Sequence, residues 1–229
     1  MQAKLIESKE IGTGIRHFVF EAVGVDQLEF APGQFVSLTH EIKGKKITRA
    51  YSIASEPGHT SRFELCLNQV ADGHFSPYLF AMHPGDAVEM RPPLGTFMLK
   101  PDLREIVMIA TGTGIAPFRS MLRTYLPAGL PQTTLLFGVR HEHNLLYRGE
   151  FEEMAARFPG FQFWPTLTRP ESGWRGRTGR VQEHVTEALA GRIDVDVFLC
   201  GLKEMVDEVR ALLKATGLDR KQIHYEKYD

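Results

Sequence analysis

The strongest single indication of the fold is the segment Ala110-Thr111-Gly112-Thr113-Gly114-Ile115-Ala116-Pro117. It follows the apolar run 106–110 and precedes apolar residues spaced at i, i+3, i+4 and i+7, the period of a helix. The pattern therefore predicts a strand, a glycine turn and a helix. Glycines let a ligand approach the backbone, and the unpaired N–H groups of a helix N-terminus favour phosphate. Pro117 suits the first helical turn, where its missing N–H would be unpaired. A plain strand-to-helix turn is the alternative interpretation of this motif alone.

The second half of the chain alternates apolar strands with helical patterns. We predict strands at Glu105–Ala110, Thr134–Gly138, Gln162–Leu167, Val195–Cys200 and Gln222–Tyr228, and helices at Pro117–Leu126, Arg148–Phe158, Val181–Ala190 and Lys203–Thr216. Such alternation is typical of a parallel sheet with helices on both faces. The sequence thus predicts an α/β, Rossmann-like nucleotide domain over residues 101–229, after the Pro- and Gly-rich segment 92–102.

The first hundred residues show short strand-like patterns separated by turn signals such as Pro32-Gly33 and Asp72-Gly73. About six strands at this spacing predict a small antiparallel Greek-key β-barrel over residues 1–100. The segment from Ser76 to Met82 is the one short helix predicted there, with Ser76 as N-cap and Pro77 at the first helical position. The same turn could face a phosphate, or it could be only a helix start.

The segment 49–55 alternates within the predicted barrel. It places Arg49, Tyr51, Ile53 and Ser55 on one face and Ala50, Ser52 and Ala54 on the other. A guanidinium fork binds phosphate and a phenol ring stacks on a flat ring, so this face could hold a nucleotide. A barrel strand with one arginine reaching to water is the alternative.

Composition excludes several classes of protein. The 229 residues carry a net charge of −1, which gives no argument for nucleic acid or an anionic membrane as partner. No stretch approaches the roughly 18 apolar residues of a membrane span, and the N-terminus has no signal-peptide core. Two distant cysteines fit a reducing, cytoplasmic location and are too few for an all-cysteine iron–sulfur cluster. We expect no metal site.

The glycine motif departs from the standard dinucleotide fingerprint. Pro117 stands where the third glycine would be, and the second strand ends Phe137-Gly138-Val139-Arg140 without an acidic residue. The usual carboxylate contact to the NAD ribose is therefore missing, so a nucleotide bound here is bound differently.

Several motifs in order resemble the ferredoxin–NADP reductase family over essentially the whole chain. They are Pro32-Gly33-Gln34-Phe35, Arg49-Ala50-Tyr51-Ser52, Pro93-Leu94-Gly95-Thr96-Phe97, Gly112–Pro117, Cys200-Gly201-Leu202-Lys203 and the closing Glu226-Lys227-Tyr228. The resemblance to the plant type is close around the glycine turn and around Cys200, and Asp229 extends one residue past the usual terminal Tyr.

The resemblance implies an FAD domain and an NADP(H) domain with the active site between them. The implied FAD-binding residues are Arg49, Ala50, Tyr51, Ser52, Cys66, Leu67, Asn68, Gly73, His74, Phe75, Ser76, Thr111 and Tyr228. The implied nucleotide-binding residues are Thr111, Gly112, Thr113, Gly114, Pro117, Arg140, Thr168, Arg169, Arg175, Arg177, Cys200, Gly201 and Leu202. The implied catalytic residues are Ser52, Cys200, Glu226 and Tyr228.

The family's mechanism gives these catalytic residues distinct roles. Tyr228 would cover one face of the flavin and would have to move before the nicotinamide stacks, so we interpret it as a gate. Ser52 and Glu226 would handle the proton of the reduced flavin. The alternatives are a buried strand-end thiol for Cys200 and a solvated acid for Glu226.

The leading function is transfer of electrons from NADPH through FAD to a small carrier, ferredoxin or flavodoxin, by a monomer. NADPH is favoured over NADH because Thr168-Arg169 stands where the plant-type pattern has Ser-Arg, although the loop 173–179 also resembles NADH-using oxygenase reductases. A reductase component of an oxygenase system and a flavin-binding electron-transfer subunit are the alternatives. The basic run Lys43, Lys45 and Lys46 is either a solvated hairpin tip or a docking patch for the carrier.

Overall fold

The computed structural model describes residues 1–100 and 102–228. Pro101, at the predicted domain boundary, and Asp229, beyond the closing Tyr, lie outside the described residues. The contacts divide the chain into two compact units. The first contains Met1–Met98 together with Ala116–Thr124, and the second contains the other described residues. The boundary between two domains at residues 100 and 101 stays a prediction.

The first unit is built on one antiparallel sheet. Its strands are β1 (Gln2–Gly12), β2 (Ile15–Val23), β3 (Phe35–Ile42), β4 (Lys45–Ser52), β5 (Arg62–Asn68) and β6 (Ala87–Leu94), with α1 (Phe75–Ala81) between β5 and β6. The strand order is β4-β3-β6-β1-β2-β5. Just after β4, Ile53 forms an antiparallel bridge with Leu65 of β5, so the two edges of the sheet meet. The predicted six-stranded Greek-key barrel is confirmed.

Large aromatic side chains fill this barrel because alternate strand positions point inward. Phe18, Phe20 and Phe63 are fully buried, and the ring of Phe20 lies 6.0 Å from that of Phe18 and 5.8 Å from that of Phe63. Burial of side chains of this size contributes roughly 1.5–3 kcal/mol each. The barrel therefore has a core of its own.

The second unit is a parallel sheet with helices. The strands are β7 (Glu105–Thr111), β8 (Thr133–Val139), β9 (Phe161–Leu167), β10 (Arg177–Thr178), β11 (Val195–Leu202) and β12 (Ile223–Tyr228). The helix α2 (Ile115–Tyr125) follows β7 in the chain, and its residues Ala116–Thr124 belong to the first unit. The helices of the second unit are α3 (Arg148–Arg157), α4 (Val181–Leu189) and α5 (Lys203–Ala215). All strand pairs are parallel, in the order β10-β9-β8-β7-β11-β12.

The strand order fixes where a ligand belongs. The chain moves outward from β7 through β8 and β9 to β10 and then returns to β11 on the other side of β7. Right-handed connections in opposite directions place α3 and α4 on opposite faces of the sheet, as predicted. The carboxyl ends of β7 and β11 therefore form the topological switch point, where open parallel sheets bind ligands.

Candidate functional site

Three glycines shape the switch point of the parallel sheet. Gly112 has φ +54° and opens a short 3₁₀ turn, Gly112–Gly114, before α2. A Cβ on Gly114 would lie 2.3 Å from the Cys200 carbonyl oxygen, and a Cβ on Gly201, with φ +146°, would lie 2.3 Å from Thr111 Oγ1. Only glycine fits at these positions, because no Cβ contacts real atoms that closely. The strand–glycine turn–helix prediction is confirmed, and Pro117 is the third residue of α2 and so lies in its first turn.

A buried hydroxyl lies inside this glycine-lined cradle. Thr111 Oγ1 is buried and has no hydrogen-bond partner among the described residues. A buried polar atom without a partner is costly, and its usual explanation is a ligand or solvent atom that completes it. The cradle therefore fits a nucleotide that hydrogen-bonds Thr111 and lies against the Gly112 turn.

Cys200, Glu226 and Tyr228 meet at the carboxyl ends of β11 and β12. Cys200 pairs with Glu226 and Leu202 with Tyr228 in the parallel ladder, so these side chains share one face of the sheet. Burial first, and then the Glu226 charge, raise the pKa of the Cys200 thiol well above its ordinary value, against a hydrogen bond with Tyr228 that lowers it. The thiol is thus neutral at physiological pH and fully buried, as in the alternative interpretation for Cys200. It can shape and pack the site but cannot act as a thiolate.

The loops that follow β8 and β9 bring two arginines, Arg140 and Arg169, close together. The Arg169 N–H donates to the Arg140 carbonyl oxygen at 2.8 Å, and the Thr168 N–H donates to the Val139 carbonyl oxygen at 3.1 Å. The Arg140 and Arg169 side chains are exposed, and within residues 1–100 and 102–228 neither forms an ion pair. Two guanidinium groups without carboxylate partners form an edge suited to a phosphate.

Arg175 and Arg177 differ although they are only two residues apart. Arg177 donates to Glu187 at 2.7 Å and stacks over the Trp164 ring at 3.7 Å. Arg175 is exposed. The charge of Arg177 is therefore already matched by a carboxylate, and its role as a nucleotide ligand, like the roles of the other implied residues, stays a prediction.

In the first unit, β4 carries the candidate flavin residues. Tyr51 pairs with the buried Val36 and Arg49 with the buried Leu38, so both face the barrel interior. Arg49 nevertheless remains exposed, and its guanidinium donates to the Thr48 carbonyl oxygen. Burial raises the pKa of the Tyr51 hydroxyl, while the Arg49 charge acts in the opposite direction. Arg49 and Tyr51 therefore share one face of β4, as the alternation predicted, while their role in binding a phosphate and a flat ring stays a prediction.

Other parts of the barrel converge on the same place. The Tyr51 ring lies 6.2 Å from that of Phe75, at the start of α1. Leu67 and Cys66, on β5, are buried, while Asn68 at its end is exposed. The structure thus brings the sequence-distant segments 49–52 and 73–76 together.

One local prediction about α1 is wrong. The helix begins at Phe75, with His74 rather than Ser76 as the preceding cap residue. The Ser76 hydroxyl instead accepts the Val70 N–H at 2.9 Å. The hydroxyl stabilises the turn before the helix, because the Val70 N–H would otherwise be unpaired.

Sequence reasoning gave no role to Arg119, which is 6% exposed. Its guanidinium donates to the Ala54 carbonyl oxygen at 2.9 Å and to Glu64 at 2.5 Å. Arg123, one turn further along α2, pairs with Glu56. The signal in the sequence was a pair of arginines four residues apart in a helix whose other face is apolar. These pairs fix the segment after Ala54, which follows the candidate flavin residues.

The described residues contain neither a cluster of metal ligands nor a membrane-spanning helix. In residues 1–100 and 102–228, no group of three or more His, Cys, Asp or Glu side chains is placed to hold a metal ion. Within the same residues, every helix is too short or too polar to cross a membrane.

Comparisons with known proteins match both units. Residues 2–99 match the model of the oxidoreductase FAD-binding domain, and residues 108–211 match that of the oxidoreductase NAD-binding domain. Ferredoxin–NADP reductase B of Sorangium cellulosum is 37% identical over 100% of this chain and 97% of its own length. The electron transfer component of toluate 1,2-dioxygenase from Pseudomonas putida is 30% identical over 99% of this chain and 67% of its own length. The structure of the Amycolatopsis cytochrome P450 reductase GcoB superposes with a TM-score of 0.88 at 30% identity, covering 99% of this chain and 69% of that one.

The barrel with its arginine–tyrosine strand and the parallel sheet with its glycine cradle define an oxidoreductase that binds FAD and a nicotinamide nucleotide. The chain belongs to the ferredoxin–NADP reductase family.

Proposed function

We propose that this protein passes electrons from NADPH through FAD to ferredoxin or flavodoxin. The observation that carries the proposal is the cradle at the carboxyl ends of β7 and β11. There the buried Thr111 hydroxyl, which has no hydrogen-bond partner in the described part of the chain, lies against Gly201 and directly precedes the Gly112 turn. The relative that is 37% identical over the whole chain carries the name ferredoxin–NADP reductase, which favours this carrier class.

The residues of the second unit would bind and orient the nucleotide. Thr111 would hydrogen-bond the nicotinamide end, and the turn 112–114 would lie along the pyrophosphate. Arg140 and Arg169 would bind the 2′-phosphate that distinguishes NADPH from NADH, because a guanidinium fork matches a phosphate. Arg175 adds a third exposed cation, while Arg177 is paired with Glu187.

The residues of the first unit would bind the flavin. Arg49 would pair with the FAD pyrophosphate, Tyr51 would stack on the ring system, and Ser52 would hydrogen-bond the ring edge. Cys66 to Asn68 and Gly73 to Ser76 would line the remainder of the cofactor. These residues would hold FAD, which would supply the conversion of the two-electron chemistry of a nicotinamide into the one-electron chemistry of a carrier.

Glu226 and Ser52 would hold or move the proton of the reduced flavin. Glu226 is half-buried and pairs with Cys200 in the ladder of β11 and β12, a position from which it would relay a proton between the flavin and water. Cys200 and Tyr228 would shape the surface that receives the nicotinamide. The two buried free thiols suit a reducing compartment, and we place the protein in the cytoplasm as a monomer.

The exposed lysines at the β3–β4 hairpin would attract an acidic carrier. Lys43, at φ 51°, and Gly44, at φ 73°, form the two-residue turn, and Lys46 pairs with Glu89 at 3.6 Å. These positions fit the hairpin-tip interpretation. A docking role would come in addition to it, through long-range attraction that falls with salt.

A second candidate is the reductase of an oxygenase system, because the toluate dioxygenase component is 30% identical over almost the whole chain. The FAD-loaded protein should be assayed with NADPH and NADH, using a neutral dye, a ferredoxin and a flavodoxin as acceptors. The proposal predicts that NADPH is preferred with every acceptor and that ferredoxin or flavodoxin is reduced. Preference for NADH, with reduction of an oxygenase component instead, would favour the second candidate.

A further inference from the structure

The last strand of the sheet, β12, has different neighbours on its two faces. His224, Glu226 and Tyr228 share the face that meets β11 side chains such as Phe198 and Cys200. Tyr225 and Lys227 lie on the opposite face, which packs against α5. Among the described residues β12 is an edge strand that pairs with β11 alone, so side-chain contacts on both of its faces help to hold its end.

Four side chains on the α5 face form what we call the Asp207 cluster: Lys203, Asp207, Arg210 and Lys227. The Asp207 carboxylate lies 2.7 Å from Lys227 Nζ, 3.0 Å from Lys203 Nζ and 3.5 Å from an Arg210 guanidinium nitrogen. Arg210 also stacks over the Tyr225 ring at 3.8 Å. The Asp207 carboxylate thus joins α5 to Lys227, which lies between Glu226 and Tyr228 in β12.

The charge of Asp207 is permanent under physiological conditions. Hydrogen bonds from Lys227 and Lys203 lower the pKa of Asp207 to about 2. A single exposed ion pair contributes little, but several cations around one carboxylate form a network, which is the exception to that rule. Lys227 and Arg210 are also less exposed than Lys203, with side-chain exposures of 28%, 24% and 66%, so their contacts are less screened.

One member of the Asp207 cluster, Lys203, directly follows residues of the candidate nucleotide site. Lys203 is the first residue of α5 and follows Cys200, Gly201 and Leu202 directly. Through Lys203 and Lys227, Asp207 therefore links the end of β11, which carries Cys200, to the end of β12, which carries Tyr228. The Cys200–Tyr228 hydrogen bond lies across the sheet from the Asp207–Lys227 pair.

We propose that Asp207 is a positioning residue: by gathering Lys203, Arg210 and Lys227 it holds the end of β12, and so holds Glu226 and Tyr228 against Cys200. The part of this proposal that concerns the nucleotide rests on the proposed function. A held Tyr228 competes with the nicotinamide for the surface beside Cys200, so the cluster weakens nucleotide binding. Loss of the Asp207 charge releases the strand end, exposes Cys200 and tightens binding.

The test compares Asp207→Asn with Glu204→Gln in the FAD-loaded protein. Glu204 is an exposed acid of the same helix, and within the described residues it forms no ion pair. Glu204→Gln therefore removes the same charge as Asp207→Asn without breaking an ion pair. Three quantities should be measured: alkylation of Cys200 by peptide mass spectrometry with Cys66 as internal reference, hydrogen exchange of amides 223–228, and the Kd for NADP+. Alkylation and exchange report on the strand whether or not the protein turns over NADPH.

We expect Asp207→Asn to raise Cys200 alkylation and amide exchange about three- to tenfold and to lower the Kd by a similar factor, the range that a small ion-pair network supplies. Glu204→Gln should leave all three unchanged. Wild-type alkylation should also rise in about 1 M salt, where the Debye length is about 3 Å. Equal effects of the two variants on alkylation and exchange, or no effect of either, would overturn the positioning role. A changed alkylation rate with an unchanged Kd would overturn the effect on the nucleotide.

Failure of the proposed function has a different signature. It would appear as a wild-type flavin that NADPH does not reduce, whatever the alkylation result. Failure of the positioning role would appear in alkylation and exchange, even where the wild-type protein oxidises NADPH.

Discussion

At the scale of the residue, the arginines after β8 and β9 are distinguished by their partners. The sequence offered Arg140, Arg169, Arg175 and Arg177 as nucleotide-binding residues, with Arg169 at the position that favours NADPH. The structure matches Arg177 with Glu187 and leaves the Arg169 and Arg140 side chains exposed at one edge. A cation with a carboxylate partner has less to gain from a phosphate than one without.

Arg169→Ala should therefore lower kcat/KM for NADPH about ten- to a hundredfold, because a hydrogen bond to a charged group contributes roughly 1.5–3 kcal/mol. The value for NADH should change little, since NADH lacks the 2′-phosphate. Steady-state kinetics with a neutral dye acceptor measure both. Arg157→Ala, which removes an exposed cation of α3, is the control. Equal losses with NADPH and NADH would show that Arg169 does not read the 2′-phosphate.

His224 gives a second prediction at this scale. Its ring lies 3.5 Å from Asp196, yet burial, with a contribution from the Lys100 charge, lowers the pKa of His224 against the effect of Asp196. The unfolded chain then binds the proton more readily than the folded chain. The stability that follows is complete above about pH 6.5, the ordinary value for histidine, and is lost as the pH falls through the lower folded pKa.

His224→Gln should accordingly reduce the loss of unfolding free energy between about pH 6.5 and pH 5, the region in which histidine titrates. Denaturant unfolding at several pH values measures this slope. His59→Gln, which removes an exposed histidine, should leave the slope as it is in the wild type. An unchanged slope in His224→Gln would contradict the prediction.

At the scale of the element, the glycine turn depends on close approach between backbones. Gly114→Ala places a methyl group against the Cys200 carbonyl group, which is backbone and cannot rotate away. We expect a loss of about 1–3 kcal/mol in the free energy of unfolding, the usual cost of overpacking. Gly149→Ala in α3 meets open space and should stabilise by up to about 1 kcal/mol. Thermal unfolding of both variants gives the comparison, and equal stabilities would show that the close contact is not maintained in solution.

The helix α2 depends on an ion pair. Arg119→Met leaves the Glu64 carboxylate, which is 29% exposed, without its short contact. We expect a loss of about 2–3 kcal/mol, below the usual cost of breaking a fully buried pair because water can reach Glu64. Arg148→Met, which breaks more exposed pairs on α3, should cost less than about 1 kcal/mol. A loss in Arg119→Met no larger than that control, measured by denaturant unfolding, would contradict a structural role for the pair.

Some helices and strands could be predicted from the sequence and others could not. The prediction of β7 at residues 105–110 and of α3 at 148–158 agrees with the structure within one residue, because apolar periodicity and glycine stops are local signals. The sequence of β1 gives no clear strand signal, because a bulge between Leu5 and Glu7 breaks its alternation and the residues after Leu5 are mostly polar. Ser76 was misassigned because its hydroxyl bonds a residue six positions earlier.

Only part of the candidate site could be predicted from the sequence. The family resemblance assigns Cys200, Glu226 and Tyr228 to one active site, and the register of β11 and β12 brings these three residues together. The Asp207 cluster and the Arg119–Glu64 pair could not be predicted, because they join side chains whose proximity depends on packing between elements.

At the scale of the whole molecule, each unit supplies one half of the chemistry. The barrel holds its candidate flavin residues on β4 and α1, and the parallel sheet holds its nucleotide cradle at the switch point. Neither half can transfer electrons from a nicotinamide to a carrier without the other, so we expect the two to act in one catalytic cycle.

Cooperation of the two units can be measured in an anaerobic titration of the FAD-loaded protein with NADPH, followed by flavin absorbance. We expect the oxidised flavin band to disappear with about one equivalent of NADPH, since one nicotinamide delivers two electrons. The band should return when ferredoxin or flavodoxin is added. A flavin that stays oxidised in the presence of both NADPH and NADH would show that the two units do not act in one catalytic cycle.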